Sequence, residues 1–342
     1  MSYTKQEILA LMPYMTKAEK VEVYKLIGAE APVWEPLDGP QKIAYDSVAK
    51  IVGYGGAAGG GKTDLACGKV VTKHKRSIIF RREGTQLTAI VDRLKALVGS
   101  DGYNGTEKIF RLKDRQIELG SVPHLGDEMS YQGRPHDIIV FDEATNFLEK
   151  QVRFLMGWLR TEDPNQLCQV LMTFNPPTDV NGRWVTRFFA PWLDKKHPRK
   201  AMPGEIRWFL QLGDRDIEVE DDRPQQVGEH LVYPMSRTFI PSRVSDNIYY
   251  KGTDYERTLM AMPEPLRSQM LHGDFEAGIE DDAMQVIPTE WVQIAMARWK
   301  VPEQKAPMSS MGVDVARGGK DKTVIARRHG MWFDIPIEYP GS

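Results

Sequence analysis

The run Gly56-Ala57-Ala58-Gly59-Gly60-Gly61-Lys62-Thr63 matches G-x-x-x-x-G-K-[ST] at every fixed position. Each part has a chemical reason. Backbone N–H groups can wrap a polyanion only where side chains are out of the way, which the glycines and alanines ensure. A helix beginning near Lys62 adds the positive end of its dipole. Lys62 is placed to reach the β- and γ-phosphates of a nucleoside triphosphate, and Thr63 offers a hydroxyl to Mg2+. The competing reading is a flexible Gly-rich turn. The apolar strand pattern before the run and the helical pattern after it argue for the cradle.

A phosphate cradle becomes a hydrolase only with acids nearby. In "DIIVFDEA", Ile138 to Phe141 read as a buried parallel strand, with Asp142 at its C-terminal end to hold the Mg2+ shell. Glu143 follows at once, and continued strand geometry would point it to the opposite side. An adjacent glutamate suits the polarising of an attacking water. The pair favours ATP hydrolysis coupled to motion over a kinase or GTPase. In "LMTFNPP", Thr173 and Asn175 sit at the C-terminal end of the next strand, where open α/β sheets bind ligands. That Thr-x-Asn could sense the γ-phosphate; the plain alternative is an Asn-Pro turn. Gln41 precedes the P-loop strand, and its amide could read an adenine edge. Arg81 and Arg82 in "FRRE" end the second apolar strand, and each could contact phosphate, a neighbouring subunit or a surface carboxylate.

Positioning these groups takes a sheet. Strand-like runs ("KIVGYG", "RSIIFRR", "RQIELGSV", "DIIVFDEA", "CQVLMTFNP", "IRWFLQLG") alternate with helical ones at Thr63 to Lys73, Gln86 to Val98 and Leu148 to Leu159. This predicts an α/β fold with a mostly parallel central sheet covered on both faces. Residues 1–33 read as an N-terminal helical segment, with Thr16 and Glu19 forming a capping-box pattern. The ATPase pattern spans 34–240. From "TFIPSRV" onward, 241–305 reads as loop and short helices, a small linker subdomain. A new strand pattern opens in 306–342 with "MGVDVARGG", "KTVIARRHG" and "MWFDIPIEY".

Composition narrows the class. At 342 residues the chain is too long for one ordinary domain. No apolar run approaches the roughly 18 residues of a membrane span, so no membrane partner is expected. Cys67 and Cys168 fit neither a metal spacing nor a disulfide framework, which suits a reducing, intracellular setting. A net charge of −2 makes nucleic-acid contact a local matter. "KHKR" (Lys73 to Arg76) and "DKKHPRK" (Asp194 to Lys200) are the candidate patches, or simply solvated loops.

Taken together, Gln41, "GGAAGGGKT", "FRRE", "YQGRPHDIIVFDEA", "TFNPP", "FIPSRVSDN…PEPLRSQMLHGDFEAG" and "GVDVARGGKDKT" resemble, in order and spacing, the large terminase subunit of tailed bacteriophages. The resemblance covers nearly the whole chain. It implies a P-loop NTPase of the additional-strand, catalytic-glutamate class, a linker subdomain and then an RNase H-like nuclease. The implied activity is ATP-driven packaging of double-stranded DNA into a procapsid. The implied partners are the portal protein, a small terminase subunit and further copies of the chain in a ring of five. The implied setting is the host cytoplasm, with transient docking at the portal.

The resemblance also directs attention to further residues. Rings of this class complete each site with a neighbour's arginine. No arginine lies inside this P-loop, and Arg134 in "YQGRPHD" stands where related chains carry such a finger. Asp314 falls where the first RNase H-like strand presents an aspartate to a two-metal Mg2+ or Mn2+ site. Asp321 follows on the turn as a possible supporting group. One such acid cannot assemble a two-metal site, so this truncated nuclease start is expected not to cleave DNA. The alternatives are a helicase or DNA-repair ATPase with the same core, and a portal-docking module that binds ATP without turnover.

Overall fold

A computed structural model describes residues 15, 17–26, 31–212, 215–277, 286–287, 289–302, 304–316 and 321–340. The chain divides into two compact units, 1–280 and 281–342. In the first, helix α1 (Lys17–Leu26) is followed by α2 (Pro40–Asp46), β1 (Ile51–Gly56), α3 (Lys62–Thr72), β2 (Arg76–Arg81) and α4 (Thr88–Val98). Next come β3 (Tyr103–Asn104), β4 (Ile109–Arg111), β5 (Gln116–Ser121), β6 (Ile138–Asp142), α5 (Glu149–Met156) and β7 (Gln169–Phe174). Short helices α6 (Trp184–Phe188) and α7 (Ala190–Leu193) lead to β8 (Arg207–Leu212) and β9 (Arg215–Val219). A small hairpin of β10 (Gln225–Val227) and β11 (His230–Val232) precedes β12 (Met235–Ser242) and α8 (Asp254–Met260). Thr16 and the first helical run, residues 1–14, lie outside the described residues.

One ten-stranded sheet organises this unit, in the order β3-β4-β5-β2-β6-β7-β1-β12-β8-β9. The strands from β5 to β12 in that order run parallel, and both edges turn antiparallel. The expected mixed α/β fold with a mostly parallel sheet is therefore present. Strands β1, β6 and β7 are buried along their whole length, which is why they read as unbroken apolar runs rather than alternating ones. Their side chains divide between two cores. Ile138 and Val140 pack with Leu65, Val70 and Leu94 on one face. Ile139 and Phe141 pack with Phe174, Phe189 and Phe239 on the other. Strand β7 lies between the P-loop strand β1 and the acidic strand β6, the added strand that the sequence pattern anticipates.

The stretch "TFIPS" corrects the sequence reading. Its pattern opens the linker as loop, yet it completes β12 beside β1, with Thr238 opposite Val52 and Ser242 opposite Gly56. Pro241 disguises it. Strand β8 pairs only with residues 235–237. At Pro241 the strand thus has β1 as its single strand neighbour, an edge-like position where a missing N–H is tolerated. The Gln86–Val98 helix also starts differently, as a 3-10 turn over Gly84–Leu87 before α4.

The second unit contains α9 (Thr289–Arg298) and an antiparallel sheet. Its strands are β13 (Ser310–Asp314), β14 (Lys322–His329), β15 (Trp332–Phe333) and β16 (Ile337–Pro340), with β14 pairing all three others. Trp299 stacks on Trp332 with ring centroids 5.8 Å apart and donates to Phe333 O at 2.8 Å. Asp334 bridges Lys305 and Arg327 at 2.7 Å each.

Helix α3 must lie close to the segment ahead of the P-loop strand, and Gly68 sets that distance. The Trp34 indole packs over it and donates to Asp64 at 2.9 Å. A Cβ on Gly68 would stand 2.1 Å from the ring. Gly68→Ala should therefore lower unfolding stability by about 2 kcal/mol, because overpacking a rigid ring outweighs the helix propensity gained. A urea midpoint equal to the parent's would show that Trp34 does not hold α3.

Candidate functional site

The phosphate cradle is built by pulling carbonyl groups outward. Asn247 Nδ2 donates to Gly59 O at 2.8 Å, Tyr54 Oη to Gly60 O at 2.8 Å, and Gln41 Nε2 to Gly61 O at 2.9 Å. A trans peptide directs its C=O and N–H oppositely. Holding these three consecutive carbonyls outward therefore aims the N–H groups of Gly60, Gly61 and Lys62 to the other side, as an anion nest requires. Gly59 and Gly61 adopt positive φ (77° and 73°) to make the turn. A Cβ on Gly60 would sit 2.5 Å from Ser242 Oγ. Burial pushes the Tyr54 hydroxyl pKa up, so it remains a donor.

Not every loop amide is available. Ala57 N–H donates to Ser242 O at 2.9 Å and Ala58 N–H to Met270 O at 2.7 Å. These two residues, expected to line the phosphate, instead tie the start of the loop to β12 and to the turn at 268–272. Gly56, with φ 122°, lies against Ser242 O and Gly273. Lys62 Nζ folds back onto Ala57 O at 2.5 Å.

The acids converge from the neighbouring strands. Thr63 Oγ1 donates to Asp142 Oδ2 at 3.0 Å, and Thr173 Oγ1 donates to Asp142 Oδ1. Arg81, at the end of β2, clamps both acids: Nη2 lies 2.6 Å from Asp142 Oδ2, and Nη1 lies 2.7 Å from Glu143 Oε2. Burial disfavours this guanidinium, but the two carboxylates outweigh it and its pKa is raised. Glu143 does not continue the strand to the opposite side as expected. The strand ends at Asp142, and Glu143 takes a left-handed φ of 61°. That unusual backbone turns the chain so that both carboxylates reach one arginine. Asn146 Nδ2 donates to the same oxygen, Glu143 Oε2, at 3.1 Å.

Other expected residues fall as follows. The Gln41 amide is buried, with Leu37 N–H donating to its Oε1 at 2.6 Å while its Nε2 donates to Gly61 O at 2.9 Å. Asn175 closes β7, and its Oδ1 is buried without a hydrogen-bond partner among the described residues. Arg82 donates to Gln151. Arg134 is half-exposed, 3.6 Å from Glu118 and over the Tyr131 ring at 5.3 Å. Its ion pair is local, with Glu118 and not with Asp137 or Asp142. Asp314 is exposed at the end of β13, opposite Val324. Among the described residues no three His, Cys, Asp or Glu side chains converge as a metal-holding group. "KHKR" is largely committed: Lys73 pairs with Asp46, Lys75 with Asp163, and His74 is buried against Asp137. In "DKKHPRK", Lys195 pairs with Glu276, while Lys196 and Lys200 remain exposed.

The residues fit a Mg2+ nucleotide. The cradle excludes side chains, a hydroxyl and a carboxylate meet at its mouth, and Asn175 supplies an unpartnered acceptor. Sequence reasoning missed Asn247 and Tyr54. Asn247 follows a strand that reads as loop, and Tyr54 reads as one more apolar strand residue.

Lys62 gives the site a pH dependence. Burial lowers its pKa to about 8, with Asp142 and Glu143 opposing the shift. A phosphate needs the ammonium form, so above pH 8 binding must take up a proton. ADP affinity should be flat below that point and fall by up to about tenfold per pH unit above it. Calorimetry from pH 6.5 to 9.5 checks this; a flat profile to pH 9.5 would show that Lys62 does not meet the anion.

The sequence matches no family model and no curated protein. Among solved structures, the large terminase of a thermophilic bacteriophage in complex with ADP is 13% identical, with a TM-score of 0.46, over 89% of this chain and 69% of that one. The ATPase domain of the Thermus phage P74-26 large terminase is 13% identical, with a TM-score of 0.44, over 74% and 97%. The HK97 bacteriophage large terminase is 12% identical, with a TM-score of 0.40, over 95% and 68%.

Proposed function

We propose that the chain is the ATP-hydrolysing subunit of a viral DNA-packaging motor of the large-terminase kind. One observation carries the hydrolytic part: Thr63, Asp142 and Glu143 meet at the mouth of a side-chain-free amide nest, with β7 inserted between the P-loop strand β1 and the acidic strand β6. The packaging part rests on the order of motifs along the sequence.

In this reading the N–H groups of Gly60, Gly61 and Lys62 hold the β-phosphate. The Lys62 ammonium leaves Ala57 O and moves to the β- and γ-oxygens. Thr63 and Asp142 would hold Mg2+, which would supply positive charge to the phosphates. Glu143 accepts the proton of the attacking water. Because Arg81 pairs with both acids, it releases Glu143 before that carboxylate can act as a base. Thr173, fixed to Asp142, and Asn175 carry the loss of the γ-phosphate to the segments beyond β7. Arg134, which leaves its Glu118 partner, serves a neighbour's γ-phosphate in a pentameric ring on the portal. Double-stranded DNA is held through phosphates, so binding weakens steeply with salt. The small terminase subunit selects the DNA, and the work takes place in the host cytoplasm at the procapsid. Asp314 marks the first strand of an RNase H-like unit.

Turnover should be stimulated strongly by procapsids with DNA and weakly by DNA alone; the reverse pattern favours a helicase. Glu143→Gln should bind ATP like the parent and turn over roughly 100- to 10,000-fold more slowly; parent-level turnover would remove Glu143 as the base. Mixing Arg134→Ala subunits with Glu143→Gln subunits should restore part of the activity that neither has alone. Absence of rescue at every ratio would count against Arg134 acting across subunits.

A further inference from the structure

The base of the nucleotide has no reader among the residues so far described. Gln41, the natural candidate, has Oε1 on Leu37 N–H and Nε2 on Gly61 O. The aromatic rings near the loop are committed too. Trp34 is buried over Gly68, and Tyr54 is buried beneath Gly60. Tyr255 packs against Gly59 and pairs with Tyr250 at 5.1 Å.

One pair of apolar side chains beside the loop is open. Asn247, itself 5% exposed, donates to Gly59 O at 2.8 Å and accepts from Tyr249 N–H at 3.1 Å. One side-chain amide thus fixes the backbone of Tyr249 to the tip of the phosphate loop. Ile248 is 68% exposed and Tyr249 is 65% exposed. These two exposed side chains, next in sequence to the residue that braces Gly59, have an occupant at hand: a nucleotide whose phosphates fill the nest lays its base within a nucleoside's length of the loop.

We propose that Ile248 and Tyr249 form the platform on which the purine base stacks, with Asn247 setting its distance from the phosphate nest. The proposal rests on the nucleotide-site reading and adds the residues that distinguish a nucleotide from a bare polyphosphate. Stacking on a tyrosine needs the ring and not the hydroxyl, and it leaves the phosphate contacts untouched.

The test compares ADP with inorganic pyrophosphate, both titrated calorimetrically with Mg2+ into the full chain. Tyr249→Ala should weaken ADP roughly tenfold and leave pyrophosphate within about twofold of the parent. Tyr249→Phe should keep the parent's ADP affinity, and Ile248→Ala should weaken ADP in the same direction as Tyr249→Ala. Unchanged ADP affinity in Tyr249→Ala overturns the platform, including the case where that variant instead alters sedimentation because the strip covers a second copy. Equal losses of ADP and pyrophosphate also overturn it, because the defect would then lie in the nest. Failure of the parent to bind either ligand would overturn the nucleotide-site reading, and the platform with it.

Discussion

The arrangement depends on a constraint of the planar peptide. Gly60, Gly61 and Lys62 can offer N–H groups to an anion only if the carbonyls of Gly59, Gly60 and Gly61 face the other way, and each carbonyl must then find a donor. Three side chains from three parts of the chain meet that demand. Gln41 comes from α2, Tyr54 from β1, and Asn247 from the turn after β12. The shape of the loop is therefore set by the chain's own side chains. The same contacts explain why β12 must be a strand of the sheet. Only there can Ser242 pair with Gly56 and lead the chain to Asn247.

Electrostatics governs the other half of the site. Asp142 and Glu143 are consecutive, and ordinary strand geometry would send them to opposite faces. The left-handed backbone at Glu143 brings both to the Arg81 guanidinium, whose pKa rises accordingly. One arginine pairs with both acids, at 2.6 Å and 2.7 Å, and the three form a compact charged set. Lys62 shows the complementary case. Its burial outweighs the same two acids and lowers its pKa to about 8, leaving a cation that gains from meeting an anion.

Much of the fold was legible because its central strands are buried on both faces. Ile51 to Gly56, Ile138 to Asp142 and Gln169 to Phe174 can be nothing but apolar along most of their length, and they stand out for that reason. Legibility failed at β12, where Pro241 and polar residues such as Ser236, Arg237 and Thr238 mask a strand that is buried all the same. Arg237 is buried by pairing with Asp216 at 2.9 Å and by lying over the Phe188 ring at 3.6 Å. Both partners are distant in sequence, so no local pattern announces it.

By itself the sequence determined the chemistry on offer: a side-chain-free loop ending in Lys62 and Thr63, and two acids after an apolar strand. Those features are local, because residue type and spacing set what a backbone segment can hold. Only the tertiary structure decided what each group is doing. It made Gln41 a brace for Gly61, tied Ala57 and Ala58 to Ser242 and Met270, and joined Asp142 to Glu143 through Arg81. Hydrogen bonds and charge pairs between segments depend on which strands become neighbours, and that order is a property of the whole sheet.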